Sequence, residues 1–342
     1  MLRRSTTVLL CALLALLTSA TDLPAQPMDL LVSSARAPGE GQVLRFNGQT
    51  GASLGVFANV SESAEGIVYR PGGNVYVASE GVGIGAIDEF NPLTGALVRR
   101  FVNPFADPIA YTLPRNFTFG PDGNLYAGTT RFSGNSITGV LRYNGATGAQ
   151  TGAFVPDGSG GLVGAFDVKF GPDGNLYVSE GSGADRSVRK YNGVSGAFLA
   201  TIVPGGSGGL NGPTGLVFRP NGDLLVASVG SDSVLRYNGI SGAFIDAFVA
   251  PGSGGLDGPM GMTFGPDGNL YVTSAITDTV LRYNGVTGAF INSFVAPGAG
   301  GLNFPNFLAF VPAVPEPALA GAVAGLALLT TRRARPRAVR SR

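Results

Sequence analysis

The sequence predicts an all-β fold: a six-bladed β-propeller whose blades are four-stranded antiparallel sheets. An aromatic residue before Asn-Gly or Asn-Pro recurs six times at spacings of 44, 53, 48, 46 and 46 residues, at Phe46, Phe90, Tyr143, Tyr191, Tyr237 and Tyr283. Each repeat contains four short alternating apolar runs, the pattern of antiparallel strands. Glycine supplies 54 of the 342 residues, which disfavours long helices. Four-strand repeats of this length are typical of propeller blades.

Each repeat is predicted to contain four strands, named a to d in chain order, and one complete copy spans 215–249. A Pro-Asp-Gly-Asn turn joins strands a and b, for example Pro172 to Asn175, because proline presets φ and Asp and Gly favour the other turn positions. An Asn-Gly-Val-Thr-Gly turn joins strands c and d at Asn284 to Gly288, another hairpin signal. Recurring turns therefore explain the glycine excess.

The first and last repeats are incomplete in complementary ways. Strand b first occurs at Met28, so the N-terminal repeat has no strand a of its own. A final strand a occurs at 307–311 with no b, c or d after it. The last strand is therefore predicted to complete the first blade, which closes the ring and leaves no open edge between its ends.

The N-terminal segment is predicted to be a secretory signal peptide. Two arginines precede an apolar run, and small residues follow it where a signal peptidase would cut. Cleavage is expected after Ala20, with Ala25 as the alternative, so the leader spans 1–20 or 1–25 and the propeller spans 26–312. A buried N-terminal helix is the competing interpretation.

Residues 313–342 carry a second composite signal. Pro315, Glu316 and Pro317 are followed by a small apolar run at 318–331 and then by six arginines. This order at the end of the chain resembles the PEP-CTERM sorting signal of bacterial surface proteins, which implies processing by an exosortase-type membrane protease and a host that makes exopolysaccharide. The run rises only about 21 Å as a helix, short of the roughly 30 Å hydrocarbon core. An ordinary tail anchor is the alternative.

The repeats themselves resemble a known class of propellers. The recurring Gly-Pro-Asp-Gly-Asn-Leu-Tyr-Val, for example Gly171 to Val178, and the Val-Leu-Arg-Tyr-Asn-Gly runs are similar to NHL repeats over residues 28–312. That class includes lyases, lactonase-like enzymes and many binding scaffolds. The resemblance therefore implies the fold and does not assign a chemistry.

Composition excludes several kinds of chemistry. The chain has no histidine, which excludes Ser-His-Asp and Cys-His constellations and His-ligated zinc. Its one cysteine, Cys11, lies in the leader and cannot form an intrachain disulfide. Of the 23 basic residues, 8 lie at the two ends, which leaves 15 against 22 acids, a charge of −7, between them. No nucleic acid is expected as a partner, because such binding requires a basic face.

A candidate site lies at the entry to strand a, where the repeats stop resembling one another. Aligning the repeats places these positions in one ring around the propeller axis, and the candidate ligand-binding residues among them are Glu65, Arg115, Asn116, Asp167 and Asn306. Their carboxylate and amide oxygens suit a hard cation such as Ca²⁺, and Glu65-Gly66 resembles the metal-bearing Glu-Gly of lactonase-type relatives. The preferred interpretation is nevertheless a solvated channel mouth with no cofactor, and Ca²⁺ is the alternative.

Two further sets of charged residues favour structure over catalysis. Three aspartates of the b-to-c loops have a spacing suited to hydrogen bonds that close the loops: Asp185, Asp232 and Asp278. The residues before the recurring aromatic are predicted to form the solvated side of each blade rather than a band that binds acidic polysaccharide, because strands alternate their faces: Arg45, Glu89, Arg142, Lys190, Arg236 and Arg282.

The d-to-a loops are nearly uniform, as in Pro204 to Leu210 and Pro297 to Leu302, and an evolved catalytic site would break that uniformity. The sequence therefore predicts an exported, surface-associated bacterial propeller, a non-catalytic binding or scaffold module near the envelope or exopolysaccharide matrix. The alternative is a Ca²⁺-dependent lactonase- or lyase-like enzyme that uses carboxylates at the channel mouth.

The expected partners are the Sec translocon, signal peptidase, an exosortase-type enzyme, and a polysaccharide or an envelope protein. The expected location is the cell envelope or the exterior, with transient anchoring by the C-terminal apolar run.

Overall fold

The computed structural model describes residues 27–35, 41–61, 63–80, 85–103, 113–130, 139–181, 183 and 185–314. The predicted leader, the motif at Pro315 to Pro317 and the apolar run that follows it lie outside these residues. Within them, 24 strands form six four-stranded antiparallel sheets, as predicted.

The first three blades are built as follows. Blade 1 contains β24 (Pro305–Pro312), β1 (Met28–Ser34), β2 (Gln42–Phe46) and β3 (Ser53–Asn59). Blade 2 contains β4 (Ser63–Tyr69), β5 (Val75–Glu80), β6 (Gly85–Phe90) and β7 (Leu97–Val102). Blade 3 contains β8 (Leu113–Phe119), β9 (Leu125–Thr130), β10 (Gly139–Tyr143) and β11 (Gln150–Val155).

The other three blades repeat the pattern. Blade 4 contains β12 (Asp167–Phe170), β13 (Leu176–Ser179), β14 (Val188–Tyr191) and β15 (Phe198–Val203). Blade 5 contains β16 (Pro213–Phe218), β17 (Leu224–Ser228), β18 (Ser233–Tyr237) and β19 (Phe244–Val249). Blade 6 contains β20 (Pro259–Phe264), β21 (Leu270–Ser274), β22 (Thr279–Tyr283) and β23 (Phe290–Val295).

The ring closes through blade 1, which confirms the prediction from the incomplete end repeats. Strand β24 pairs antiparallel with β1, with Met28 opposite Pro312 and Val32 opposite Leu308. The pairing extends past the strands, where the Ala313 N–H donates to the Pro27 carbonyl at 2.9 Å. The first and last strands thus share one sheet, so unfolding either end opens the ring.

The apolar core lies between the blades, with one cluster at each of the six junctions. At the junction of blades 6 and 1, Leu30 and Leu44 pack against Tyr271 and Phe294. Tyr271 makes edge-to-face contacts with Phe294 of its own blade and Phe310 of the next, at centroid distances of 4.9 and 5.0 Å. The apolar face of each blade is therefore buried by its neighbour.

Four d-to-a loops form a single turn of 3-10 helix, at Ser159–Gly161, Ser207–Gly209, Ser253–Gly255 and Ala299–Gly301. Each turn packs on the fourth strand of the following blade. The Tyr283 hydroxyl donates to the Ser253 carbonyl at 2.8 Å, and a side chain at Gly254 would meet the Phe290 ring. These loops therefore fasten each blade to the next one.

The ring has two distinct faces. The a-to-b and c-to-d turns lie on one face, here called the turn face, and the b-to-c and d-to-a loops lie on the other, the loop face. In blade 1 the strand register brings Pro312, Met28, Phe46 and Ser53 to the same edge. The described chain therefore enters and leaves the ring on the turn face.

Candidate functional site

The polar residues predicted to surround the axis are buried between the innermost strands. Glu65, Asn116, Asp167 and Asn306 are only 1 to 3% exposed. Of the five predicted site residues, only Arg115 is substantially exposed, with 32% of its side chain accessible. The interpretation as a solvated channel mouth therefore does not describe these four side chains, because neighbouring strands cover them.

The carboxylate of Asp167 is saturated with hydrogen bonds. Its Oδ1 accepts from Asn116 Nδ2 at 2.7 Å, from the Val168 N–H at 2.8 Å and from Lys169 Nζ at 3.1 Å. Its Oδ2 accepts from the Leu216 N–H at 2.8 Å. These donors come from blades 3, 4 and 5, so Asp167 joins three consecutive blades and has little capacity left for a metal ion.

Other polar side chains join the remaining blades in the same way. Thr214 Oγ1 donates to the Pro259 carbonyl at 2.8 Å, between blades 5 and 6. The Asn306 carbonyl accepts from Thr273 Oγ1 at 2.8 Å, and Asn306 Nδ2 donates to the Ala64 carbonyl at 3.1 Å. Asn306 therefore links blade 1 to both of its neighbours, and the predicted ring of residues acts first as a set of ties between blades.

The glycines beside these residues allow the close approach. A Cβ built on Gly66 would lie 2.4 Å from Asn116 Oδ1, and one built on Gly261 would lie 2.6 Å from the Asn306 carbonyl oxygen. Any larger residue at either position would separate the innermost strands. The occurrence of glycine beside these polar residues is thus explained by close packing of the innermost strands. The Glu65-Gly66 pair is therefore no specific sign of a metal site.

At the junction of blades 2 and 3, two carboxylate oxygens and an amide oxygen are buried without hydrogen bonds from the described residues. Arg115 Nη1 lies 2.9 Å from Glu80 Oε2 and 3.7 Å from Glu65 Oε2. Both of these oxygens and Asn116 Oδ1 are buried and accept no hydrogen bond within the described part of the chain. We call Glu65, Glu80, Arg115 and Asn116 the junction cluster. It is the best-supported candidate for chemistry at the axis.

Burial raises the pKa of Glu65 to about 7, and the neighbouring Arg115 opposes this shift. Burial also raises the pKa of Glu80, again against the effect of Arg115. A carboxyl with a pKa near neutrality can donate or accept a proton at physiological pH. The junction cluster therefore combines a proton-exchanging carboxyl with a partly exposed cation.

The cluster fits Ca²⁺ only in part. Two carboxylates and an amide oxygen are donors that Ca²⁺ prefers, but the Arg115 guanidinium already lies beside the carboxylates as their counter-cation. Among the described residues, no group of three His, Cys, Asp or Glu side chains is arranged to hold a metal ion. A calcium ion at this position would have to displace Arg115.

A second charged cluster was not predicted as a unit. Arg189 is 2% exposed; its Nε donates to Glu180 Oε2 at 3.0 Å and its Nη2 to Asp185 Oδ2 at 2.9 Å. It also donates to the carbonyls of Gly160 and Gly161 in the preceding loop. The available signal is that Arg189 occupies a strand c position where four of the six repeats have leucine.

The loop aspartates have the structural role expected of them, with partners in the next loop. Asp232 Oδ1 accepts the Gly258 N–H at 2.9 Å, and Asp278 Oδ1 accepts the Phe304 N–H at 2.7 Å. Both aspartates adopt positive φ, 49° and 53°, a conformation that Asp tolerates better than most residues. The b-to-c loops are thereby joined to the d-to-a loops on the loop face.

The strand c residues predicted to be solvated are instead paired or stacked. Arg45 and Glu89 are each 6% exposed; Arg45 pairs with Asp29 at 2.8 Å and Glu89 with Arg99 at 2.6 Å. The prediction is wrong at these two positions, because a neighbouring opposite charge allows both to be buried. The other four lie 5.3 to 5.9 Å from an aromatic centroid: Arg142 over Phe154, Lys190 over Tyr177, Arg236 over Phe248 and Arg282 over Phe294.

A cleft of about 570 Å³ lies on the turn face, where the chain enters and leaves the ring. Arg45 and Asp29 line it together with exposed apolar residues, among them Leu54, Leu93 and Val314. None of the five predicted site residues lines this cleft. In the described ranges, no helix has the length and apolar character needed to cross a membrane.

No known family profile matches the sequence, and no curated protein is similar to it. Solved structures do match the ring. A chain of the nidogen/laminin complex matches with a TM-score of 0.61 at 14% identity, over 83% of this chain and 98% of that one. The periplasmic gluconolactonase PpgL of Pseudomonas aeruginosa matches with a TM-score of 0.52 at 18% identity, over 84% and 99%.

The calcium-binding protein regucalcin of Agrobacterium tumefaciens matches with a TM-score of 0.51 at 16% identity, over 69% of this chain and 75% of that one. At these identities the likeness shows the fold alone. The chain is therefore a six-bladed β-propeller of the architecture that these proteins share. Its neighbours include both an enzyme and a calcium-binding protein, so its chemistry must be argued from its own residues.

Proposed function

We propose that the protein is an exported bacterial propeller that acts as a non-catalytic binding or scaffold module at the cell envelope or in the exopolysaccharide matrix. The observation that carries the proposal is the use of the axial polar residues. The side chains of Asp167 and Asn306 form hydrogen bonds to neighbouring blades. A rigid closed ring with uniform loops suits a scaffold.

Export and anchoring belong to the same proposal. The leader would direct the chain to the Sec translocon and signal peptidase, and Pro315 to Pro317 with the following apolar run would be processed by an exosortase-type enzyme. Ligand contact is expected on the loop face near Arg115, which is the exposed member of the predicted site. An extracellular polysaccharide or an envelope protein is the expected ligand.

A pull-down with the tagged full chain against its own cell envelope and secreted polysaccharide tests the binding role. The expected result is a retained glycan or envelope protein, with retention weakened by Arg115→Gln. Turnover of a substrate panel with no retained partner would contradict the proposal.

Deleting 314–342 tests the anchoring, because the folded propeller is then expected in the medium. A truncated protein that stays with the membrane would show that a different segment holds it there.

The second candidate is a Ca²⁺-dependent lactonase- or lyase-like enzyme, and the unsatisfied oxygens of Glu65, Glu80 and Asn116 favour it. In that case the two carboxylates and the amide would hold the ion, which would supply Lewis acidity. Thermal unfolding at millimolar Ca²⁺ separates the two functions. Stabilisation by Ca²⁺ that increases with Arg115→Ala and disappears with Glu65→Ala supports the enzyme; no stabilisation in any variant argues against it.

A further inference from the structure

Exposed apolar side chains occupy the tips of the c-to-d turns. The third residue of these turns is apolar in five of the six blades: Leu93, Ala146, Val194, Ile240 and Val286, with Gln49 in blade 1. Val194, Ile240 and Val286 are 88, 81 and 73% exposed. Within the described residues these are the most exposed of the large apolar side chains. We call these three residues the turn tips.

The turns themselves do not require apolar tips. In blade 4, Asn192 Oδ1 accepts the N–H groups of Val194 and Ser195 at 3.0 and 2.9 Å, and the Gly196 N–H donates to the Asn192 carbonyl at 2.9 Å. The tip contributes only backbone groups, its N–H and in blade 6 also the Val286 carbonyl, which accepts from Arg219. A small or polar residue would therefore serve equally well, as is usual in turns. The fold therefore does not explain the repeated choice of Val, Ile and Val.

The turn tips share a face with the point where the chain leaves the ring. Strand β24 ends at Pro312 on the turn face, and Val314 lies in the cleft that Gln49 and Leu93 of two c-to-d turns also line. Only three residues separate Val314 from the apolar run that begins at Ala318. Even when fully extended, this stretch of chain spans at most about 14 Å. Any surface that holds the run therefore also lies close to the turn face.

We propose that the turn face rests on a lipid bilayer with the turn tips inserted into its interface. This inference rests on the proposed function, because the C-terminal run supplies the anchor. The tips occur at one structural position in successive blades, so they project on one side of the ring. A bilayer is a broad apolar partner that can meet all of them together, and isolated apolar side chains gain free energy on entering its interface.

The charges of the turn face are compatible with this contact. In blades 4 to 6 the acid of the a-to-b turn is paired with a basic residue of the same blade: Asp173 with Lys190 at 2.8 Å, Asp223 with Arg219 at 3.4 Å and Asp267 with Arg282 at 3.5 Å. A paired carboxylate is repelled less by a phospholipid surface than an isolated one. The face therefore presents apolar tips between neutralised charges.

Site-specific fluorescence tests the inference in the full chain. In a Cys11→Ser background, Val194→Cys, Ile240→Cys and Val286→Cys each carry an environment-sensitive dye, and the protein is reconstituted into phosphatidylcholine vesicles with or without a lipid-borne quencher. Ile276→Cys is the matched control, because Ile276 is also apolar and 61% exposed but lies in a b-to-c loop on the loop face. The expected result is a blue shift and lipid-dependent quenching at the three tips and neither effect at the control.

Three outcomes would overturn the inference. If the chain resists an alkaline wash of the vesicles while the dyes at the tips remain as in water, the tips do not touch lipid, although the proposed anchoring stands. A blue shift without lipid-dependent quenching shows that the tips contact another protein copy. A chain that does not associate with vesicles at all contradicts both this inference and the proposed anchoring.

Discussion

Single polar residues at the axis could be catalytic or structural, and burial together with hydrogen bonding distinguishes the two. Asp167 is 1% exposed, and both of its carboxylate oxygens accept hydrogen bonds from neighbouring blades. Glu65 is also buried, but its Oε2 accepts no hydrogen bond from any described residue. Asp167 thus uses its carboxylate to join blades, whereas Glu65 keeps a carboxylate oxygen that can still bind a proton or a ligand.

Glu65 is predicted to make the stability of the fold depend on pH. Its pKa is raised from 4.5 to about 7, mainly by burial, so between these pH values the folded protein binds a proton that the unfolded chain releases. The contribution of the protonated carboxyl is present below pH 4.5 and is lost as pH rises towards 7, by about 3 kcal/mol. Glu65→Gln should therefore flatten the fall in unfolding free energy between pH 4.5 and about 7, measured by urea denaturation.

The control is Glu89→Gln, because the pKa of Glu89 is lowered by its hydrogen bonds from Asn74 and Arg99 despite its burial. Its stabilising contribution is present above the unfolded pKa and is lost as pH falls, the opposite sign to Glu65. Glu89→Gln should thus destabilise the protein at neutral pH. If Glu65→Gln has the same pH slope as the wild type, Glu65 does not titrate in this range.

At the scale of elements, the uniform loops act as couplings between blades. The 3-10 turn before blade 6 places Gly254 against the Phe290 ring of that blade, and Tyr283 holds the turn by a hydrogen bond from its hydroxyl. Equivalent Gly-Phe contacts occur at Gly160 with Phe198 and at Gly208 with Phe244. Uniformity of these loops in the sequence therefore reflects a repeated packing contact.

Gly254→Ala is predicted to destabilise the fold more than Gly252→Ala. Both glycines have positive φ, 66° and 67°, so both substitutions should cost about 1–2 kcal/mol of backbone strain. A Cβ at Gly254 would also lie 2.1 Å from a carbon of the Phe290 ring, whereas a Cβ at Gly252 meets nothing within 4 Å. The clash should add roughly 1–3 kcal/mol, which urea denaturation of the two variants measures.

Phe290→Ala provides the check on this explanation. If the ring causes the extra loss, the Gly254→Ala effect should shrink towards that of Gly252→Ala in the Phe290→Ala background, because the clashing atoms are gone. Equal losses for the two glycine variants in the wild-type background would show that the turn moves away from the ring at little cost.

For the whole molecule, the six blades depend on one another because the core lies between them. Each apolar cluster takes its members from two blades, and the cluster at the closure contains Leu308 and Phe310 of β24 beside Tyr271 of blade 6. A second cluster buries Val311 of the same strand between blades 1 and 2. The C-terminal strand therefore stabilises two junctions as well as completing a sheet.

Truncation at residue 304 is predicted to unfold the ring, whereas truncation at residue 313 is not. Removing β24 withdraws Leu308, Phe310 and Val311 from the core at roughly 1.5–3 kcal/mol each, comparable with the whole stability of a typical domain, and leaves the edge of β1 unpaired. Circular dichroism on heating should show a cooperative transition only for the longer chain. A cooperative transition of unchanged midpoint in the shorter chain would show that β24 is dispensable.

Much of the architecture could be predicted because local sequence patterns that repeat along the chain determine it. Turn chemistry such as Pro172 to Asn175 recurs with small variations in the five blades whose first two strands are consecutive in the chain, so the number of strands and blades follows from counting. The complementary ends at Met28 and 307–311 predict the closure. These features depend on neighbours in the chain, and one sequence is enough to expose them.

The roles of the axial residues could not be obtained in the same way. Alignment of the repeats brings Asn116, Asp167 and Asn306 to one level, but only the approach of adjacent blades decides that they are buried and which groups they bond. The same holds for Arg189, whose partners come from its own blade and from the preceding loop. The repeat period determines which residues occupy equivalent positions around the axis. Burial and hydrogen-bond partners depend instead on contacts between segments that are far apart in the chain.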